Sequence, residues 1–415
     1  MIYDLVFEGG GAKGMVFVGA LQEFEDRGHT SGRLLGTSAG AITAAGLAAG
    51  YSAQELLEIL NEKQDDKPVF ASFMADPQPF AGADIVNSAT LKAMQEIDIP
   101  LLPNAIEEKA ENWIVSKLMS RLPNLFSLVE RGGWYSADNF ITWLERIMDT
   151  GIYPGPGPFS GKQRRFSGMT MSEFHAATHR ELSVIAADTS SGRMVVLNHQ
   201  TAPDLPVVWA VRMSMSIPMV WPEVVWQAKW GKYLERDMTG HLLVDGGLLS
   251  NFPIELFISS DQHVSKVMGK KQGAQIMGLL IDESLPVANV PEAAAEEEKG
   301  FNFAQLRTVQ RITRLIDTLT GAHDKMVIEA FEHLVVRLPA AGYGTVEFDM
   351  DDDRREALLA AGRATMATYL DSQERMLEVS VAADGEEESF FEEDSGSSID
   401  PSSHADHFAT KVFEY

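Results

Sequence analysis

Apolar positions in the first fifty residues of this chain fall into four successive patterns. Residues 2–7, Ile-Tyr-Asp-Leu-Val-Phe, form a nearly unbroken apolar run, as a strand buried on both faces does. Residues 15–26 then carry apolar side chains at helical spacing and stop before Gly28. A second short strand is expected at 33–36 and a second helix at 39–49. Strand, loop, helix, strand, turn, helix is the grammar of a parallel sheet with crossover helices. The expected class is therefore α/β, with a mainly parallel central sheet flanked by helices on both faces.

Further along, residues 53–63 read as a helix, and the pattern then weakens from Asp65 to about Gly133, where prolines 68, 77, 79, 100, 103 and 123 interrupt it. Such a stretch is either a lid or cap insertion or plain irregular packing. Ser136 to Met148 is amphipathic, and Pro154-Gly155-Pro156-Gly157-Pro158 is a loop that continues into basic Lys162, Arg164 and Arg165. Strands are expected at Leu182 to Ala187, ending at Asp188, at Met194 to Leu197, at His241 to Val244 and at Gln275 to Ile281. Val207 to Met215 reads as a helix that stops before Pro218. Pro291 to Gly300 reads as a surface connection, followed by an amphipathic helix at 301–320 and a last helix at 353–370. Residues 1–370 are then expected to form one domain, and 371–415 an acidic tail, expected to be disordered, with runs at Glu386-Glu387-Glu388 and Glu392-Glu393-Asp394.

Charge narrows the partners. A net charge of −26 argues against nucleic acid and against standing adhesion to anionic lipid. The chain has no Cys, which rules out disulfides, thiolate zinc sites and a cysteine nucleophile. With no basic signal-peptide start at Met1-Ile2-Tyr3-Asp4, a cytoplasmic placement is expected.

Chemistry concentrates at three strand ends. Glu8-Gly9-Gly10-Gly11-Ala12-Lys13-Gly14 follows the first strand, and Gly36-Thr37-Ser38-Ala39-Gly40 follows the second. A G-x-S-x-G frame between strand and helix lets the chain turn sharply and expose the serine hydroxyl. A glycine loop beside it can aim backbone N–H groups at an oxyanion. Asp245, directly after Leu242-Leu243-Val244, is followed by Gly246 and Gly247. A carboxylate at a strand end with small neighbours can approach a loop on the same sheet edge, where α/β folds place their sites.

Two nucleotide-binding readings fail. Gly9-x-Gly11-x-x-Gly14 fits the dinucleotide frame, but that frame needs a carboxylate at the end of the second strand, where this chain has Leu35-Gly36 and then Ser38. The phosphate-loop frame fails because Lys13 is followed by Gly14. A histidine-containing triad stays open, with His241 and His263 as the bases to test.

Together the three motifs resemble the patatin-like phospholipases, whose pattern is a G-G-G-x-[KR]-G loop, a G-x-S-x-G elbow and a D-G-[GA] turn. Met213-Ser214-Met215-Ser216-Ile217-Pro218 and Asn251-Phe252-Pro253 also resemble family segments, and the likeness extends over residues 2–370. The resemblance implies a three-layer α/β/α fold and a lipid acyl hydrolase with a Ser38–Asp245 dyad. It further implies an oxyanion hole from Gly9, Gly10, Gly11, Ala12, Lys13 and Gly14, with the N–H groups of Gly10, Gly11 and Ala12 as donors. The elbow residues Gly36, Thr37, Ala39 and Gly40 and the turn residues Gly246 and Gly247 would frame the dyad.

Neither metal nor cofactor is implied. The expected partner is a phospholipid, lysophospholipid or other acyl lipid met by transient peripheral membrane contact. An alternative keeps this chemistry in a membrane-damaging effector switched on by a ligand or partner. Lys13 either places a charge near a lipid phosphate or salt-bridges at its helix start. Trp221, Trp226 and Trp230, the Lys162-Arg164-Arg165 loop and the 301–320 helix are either membrane contacts or core and surface structure.

Overall fold

The computed structural model describes residues 1–64, 66–80, 89, 123–288, 326–384, 405, 406 and 409. Its central sheet has eight strands: β1 (Ile2–Phe7), β2 (Thr30–Thr37), β3 (Leu182–Asp188), β4 (Arg193–Leu197), β5 (Val224–Val225), β6 (Leu242–Asp245), β7 (Gln275–Pro286) and β8 (Val335–Ala341). The order across the sheet is β8-β7-β1-β2-β3-β6-β5, with β4 also paired to β3. The five strands from β8 to β3 are mutually parallel, whereas β4, β5 and β6 pair antiparallel.

Helices cover both faces of this sheet: α1 (Val16–Asp26), α2 (Ala39–Ala48), α3 (Ala53–Leu60), α4 (Pro123–Arg131), α5 (Asp138–Asp149), α6 (Met171–Thr178), α7 (Val207–Ser214), α8 (Glu255–Ile258), α9 (Gln262–Met268) and α10 (Asp352–Asp384). Successive strand residues point to opposite faces, and the two apolar cores divide accordingly. Leu5, Phe7, Leu34 and Val184 pack with Phe17 and Leu21 of α1, Ala41 and Ala44 of α2 and Leu358 of α10. Val6, Leu35 and Ile185 pack with Leu256 and Phe257 of α8 and Val264 of α9. The continuous apolar runs in the sequence arise from this double burial.

Several elements are longer than their patterns suggest. β2 begins at Thr30, β7 continues to Pro286, and α10 passes residue 370 to reach Asp384. The expected tail at 371–415 thus begins as helix, tied down by an Arg27–Asp371 ion pair of 2.6 Å. Near the chain's end, Ala405 and Ala409 are buried in the second core, and the Asp406 carboxylate accepts from Ser259 Oγ at 2.6 Å and from the Ser260 N–H at 2.7 Å. Both acidic runs of that tail, the 301–320 helix and most of the expected lid region lie outside the described residues. The described part of the lid region contributes Phe70 and Phe73 to the first core. Among the described residues no helix is long and apolar enough to cross a membrane.

Candidate active site

β3 brings the two chemical residues together. Leu34–Thr37 of β2 pair with Leu182–Ile185, and Leu243–Asp245 of β6 pair with Asp188–Ala186. Because β4 occupies the other edge of β3, β2 and β6 share one edge. β2 runs parallel to β3 and β6 antiparallel, so the two strands meet head on: Thr37 lies opposite Ile185, and Asp245 opposite Ala186. Ser38 is the next residue after Thr37. Asp245 therefore reaches the serine through an antiparallel strand, not through the parallel arrangement that its strand-end position suggests.

Ser38 adopts φ 52°, ψ −119°, a conformation rare for a residue with a side chain. Its flanking glycines permit that turn. A Cβ on Gly36 would stand 2.2 Å from the Gly40 carbonyl oxygen, and one on Gly40 would stand 2.3 Å from that of Phe7. The obstructing atoms are backbone, so no side-chain rearrangement relieves them. The turn places Ser38 at the N-terminus of α2, where the helix dipole favours negative charge.

Asp245 is buried, and burial pushes its carboxyl up to about 7, against the stabilising effects of the Ser38 hydroxyl and the Gly247 N–H. Oδ1 accepts from the Gly247 N–H at 2.8 Å. Oδ2 is buried and makes no hydrogen bond of normal geometry among the described residues. Placed beside Ser38, it has the vacant acceptor capacity and the basicity that a general base needs.

A serine-rich turn holds both residues. The Ser38 N–H donates to Ser214 Oγ at 2.9 Å, and the Asp245 N–H donates to the Ser216 carbonyl at 2.9 Å. Ser216 Oγ in turn lies between the Arg212 carbonyl, to which it donates at 2.6 Å, and the Arg212 guanidinium. Arg212 also donates to the Pro222 carbonyl at 2.9 Å, and its full burial pushes its pKa down to about 10. The sequence marked 213–218 only by likeness. Two serines spaced to reach different strand ends would have been the physical signal.

The glycine loop is similarly braced. The Gly9 N–H donates to the Asn251 carbonyl at 3.2 Å, and Asn251 Nδ2 donates to the Gly9 carbonyl at 2.8 Å and to Glu8 Oε1 at 3.1 Å. Glu8 Oε2 accepts from the Ile281 N–H at 2.6 Å. A Cβ on Gly9 would lie 3.1 Å from the Ser38 Cβ, so the loop passes directly against the serine. The expected donor Ala12 is already committed, its N–H bonded to the Thr345 carbonyl at 2.9 Å, and the Lys13 N–H bonds to the Gly10 carbonyl at 3.2 Å. Among the described residues the N–H groups of Gly10, Gly11 and Ala39 have no protein acceptor. Glu8 and Asn251 carried no role in the sequence reading, because both act on backbone that only the fold brings near.

Other candidates lie elsewhere. The buried Lys13 ammonium pairs with the exposed Glu283 carboxylate, which supports its salt-bridge reading. His241 Nδ1 pairs with Asp188 Oδ2 at 2.8 Å, at the start of β6 and away from the Asp245 end. His263 is exposed on α9. Trp221, Trp226 and Trp230 are core residues, each 1% exposed, and so are not membrane contacts. Arg164 is also buried, donating to the carbonyls of Ala49, Gly50 and Thr150.

Several known proteins are similar to this chain. An uncharacterized Bacillus subtilis (strain 168) protein, YqhO, is 26% identical over 377 residues, covering 89% of this chain and 98% of its own length. An uncharacterized Acanthamoeba polyphaga mimivirus protein, R571, is 23% identical over 271 residues, 65% of this chain and 64% of that protein. Among solved structures, VipD from Legionella pneumophila aligns with a TM-score of 0.41 at 16% identity, over 89% of this chain and 67% of VipD. ExoU, solved with SpcU from the type III secretion system of Pseudomonas aeruginosa, aligns with a TM-score of 0.33 at 16% identity, over 89% of this chain and 51% of that one. The sequence profile of the patatin-like phospholipases matches residues 5–258, from β1 to the end of α8, a span that includes the glycine loop, the elbow and the Asp245 turn. The chain belongs to the patatin-like phospholipase family and is a lipid hydrolase.

Proposed function

We propose that this chain is a serine acyl hydrolase that releases fatty acid from phospholipids or lysophospholipids. The observation that carries this reading is the head-on meeting of β2 and β6, which sets Ser38 beside a buried carboxyl raised to about 7. Ser38 Oγ attacks the ester carbonyl carbon while its proton passes to Asp245 Oδ2. The carbonyl oxygen gains the negative charge and takes hydrogen bonds from the free N–H groups of Gly10, Gly11 and Ala39, where one donor contributes roughly 3 kcal/mol. When the tetrahedral intermediate collapses, the alcohol leaves with the proton from Asp245. Water then attacks the acyl-enzyme, gives its proton to the same carboxylate, and the fatty acid departs as Ser38 is restored.

A raised base suits this role, because a carboxylate at its reference value of about 3.9 is too weak to accept a serine proton near neutrality. Substrate arrives from a lipid surface by transient peripheral contact. Fatty-acid release from vesicles of phosphatidylcholine and of lysophosphatidylcholine tests the reading. Ser38→Ala and Asp245→Asn should each lower it by about 10⁴-fold or more while circular dichroism stays native. Wild-type turnover by either variant would refute the dyad.

A further inference from the structure

The opposite end of β3 gathers three titratable side chains that the proposed reaction does not use. His175 lies on α6, three residues before the helix ends at Thr178. His179 then adopts a left-handed φ of 52°, which turns the chain sharply and returns Glu181 to the side of His175. His199 follows β4, whose antiparallel pairing with β3 brings it to the same end. His175 Nε2 stands 3.2 Å from Glu181 Oε1, and His199 Nδ1 stands 3.5 Å from Glu181 Oε2. The imidazole rings are stacked at 3.8 Å with only 4° between their planes, so one ring must rotate about its Cβ–Cγ bond before a nitrogen of each can face the same ion. One ligand atom from each residue lies within 4.8 Å of the other two.

These separations are long for charge-assisted hydrogen bonds, which close to about 2.7–2.9 Å. The shorter has the length of an ordinary N–H···O hydrogen bond, and both also fit the spacing of ligands around an ion. Tetrahedral zinc with bonds of about 2.0–2.1 Å keeps its ligand atoms about 3.3 Å apart. The backbone of each residue is also held in place. The Glu181 carbonyl accepts from the Leu34 N–H at 2.8 Å, and the His175 carbonyl accepts from the His179 N–H at 2.7 Å. Beside His199, the Asn198 side chain accepts from the Gln200 and Thr201 N–H groups and donates to the Val267 carbonyl at 2.7 Å. All three residues are half-buried, sheltered from bulk water yet reachable by an ion.

We propose that His175, Glu181 and His199 bind a divalent transition-metal ion, zinc foremost, through two imidazole nitrogens and a carboxylate, with a water as the fourth ligand. Imidazole with one carboxylate suits zinc among the common biological ions. The ion takes no part in ester cleavage. Glu181 lies five residues before Ala186, the partner of Asp245, which is about 17 Å along an extended strand. Instead it clamps the end of α6, the start of β3 and the loop after β4.

The tag-free full-length chain, stripped with chelator, is titrated with zinc by calorimetry and with cobalt by visible absorption. One equivalent per chain, the intense spectrum of tetrahedral cobalt and a zinc-dependent rise in the unfolding midpoint are expected. His175→Ala, His199→Ala and the isosteric Glu181→Gln should each weaken zinc binding by at least about tenfold, with unchanged circular dichroism in chelator. Absence of stoichiometric binding by the wild-type chain overturns the site, and so does equal binding by wild type and all three variants, which would leave only adventitious surface ions.

Discussion

The two ends of β3 solve different problems with different materials. At the Asp245 end, backbone does the positioning. Ser38 and Asp245 are each placed by strand register, each anchored through the main-chain N–H by one serine turn, and each 5% exposed. At the Glu181 end, three half-buried side chains are held mainly by one another. A site fixed by backbone is preorganised for one geometry, which is what transition-state stabilisation demands. A site made of side-chain tips can rearrange by ring rotation around whatever occupies it. The contrast teaches that a single strand can serve a rigid reaction centre at one end and an adaptable clamp at the other.

Disturbing the backbone end should do the most damage. Gly36→Ala forces a Cβ within 2.2 Å of a carbonyl oxygen, and activity should drop at least about 10³-fold together with a lower unfolding midpoint. If that variant kept normal activity, the close-packed elbow would not be needed. Next comes pH. With Asp245 raised to about 7, kcat/KM should climb tenfold per unit below that value and flatten above it, a loss of about 100-fold at pH 5. A profile that is flat from pH 5 to 8 would show a base of ordinary acidity.

Ser214→Ala leaves the Ser38 N–H buried without its acceptor, a cost of ~1–3 kcal/mol. Its kcat should decline about 10- to 100-fold with KM little changed. A change confined to KM would place the turn at substrate binding instead. For stability, the sign follows from the raised pKa. The folded chain holds the Asp245 proton more tightly than the unfolded chain between about pH 4 and 7, so stability falls as pH rises through that window. Asp245→Asn should remove this fall and gain at most roughly 4 kcal/mol over wild type at pH 8, with little gain at pH 4. Equal urea midpoints at both pH values would mean that the carboxyl is not penalised by burial. The smallest effect is expected at His241→Ala, which should stay within about threefold of wild-type turnover because His241 faces Asp188. A loss as large as that of the serine variant would revive the histidine triad.

Legibility followed the same division. Motif glycines mark places where backbone approaches backbone, so Gly36, Gly40 and Ser38 announce an elbow in any sequence that contains them. Double burial makes β1 and β2 readable as continuous apolar runs. Long-range side-chain meetings leave no such trace. The brace of Ser214 and Ser216, the tie from Asn251 to Gly9, and the convergence of His175, Glu181 and His199 join positions separated by up to 242 residues. The antiparallel course of β6 was equally hidden, because a strand's direction within a sheet depends on connections, not on its own four residues. Trp226 shows the converse: an aromatic beside prolines reads as an anchor or as core, and its Nε1 donation to the Gly231 carbonyl at 3.0 Å places it in the core.

The central claim, that Asp245 activates Ser38, is tested most directly by a fluorophosphonate probe with the adduct mapped by mass spectrometry in wild type and Asp245→Asn. Modification at Ser38 alone is expected in the wild-type chain, slowed by about 10³-fold or more in the variant. Labelling of Ser38 at the same rate in both chains, or labelling of a different serine, would contradict it.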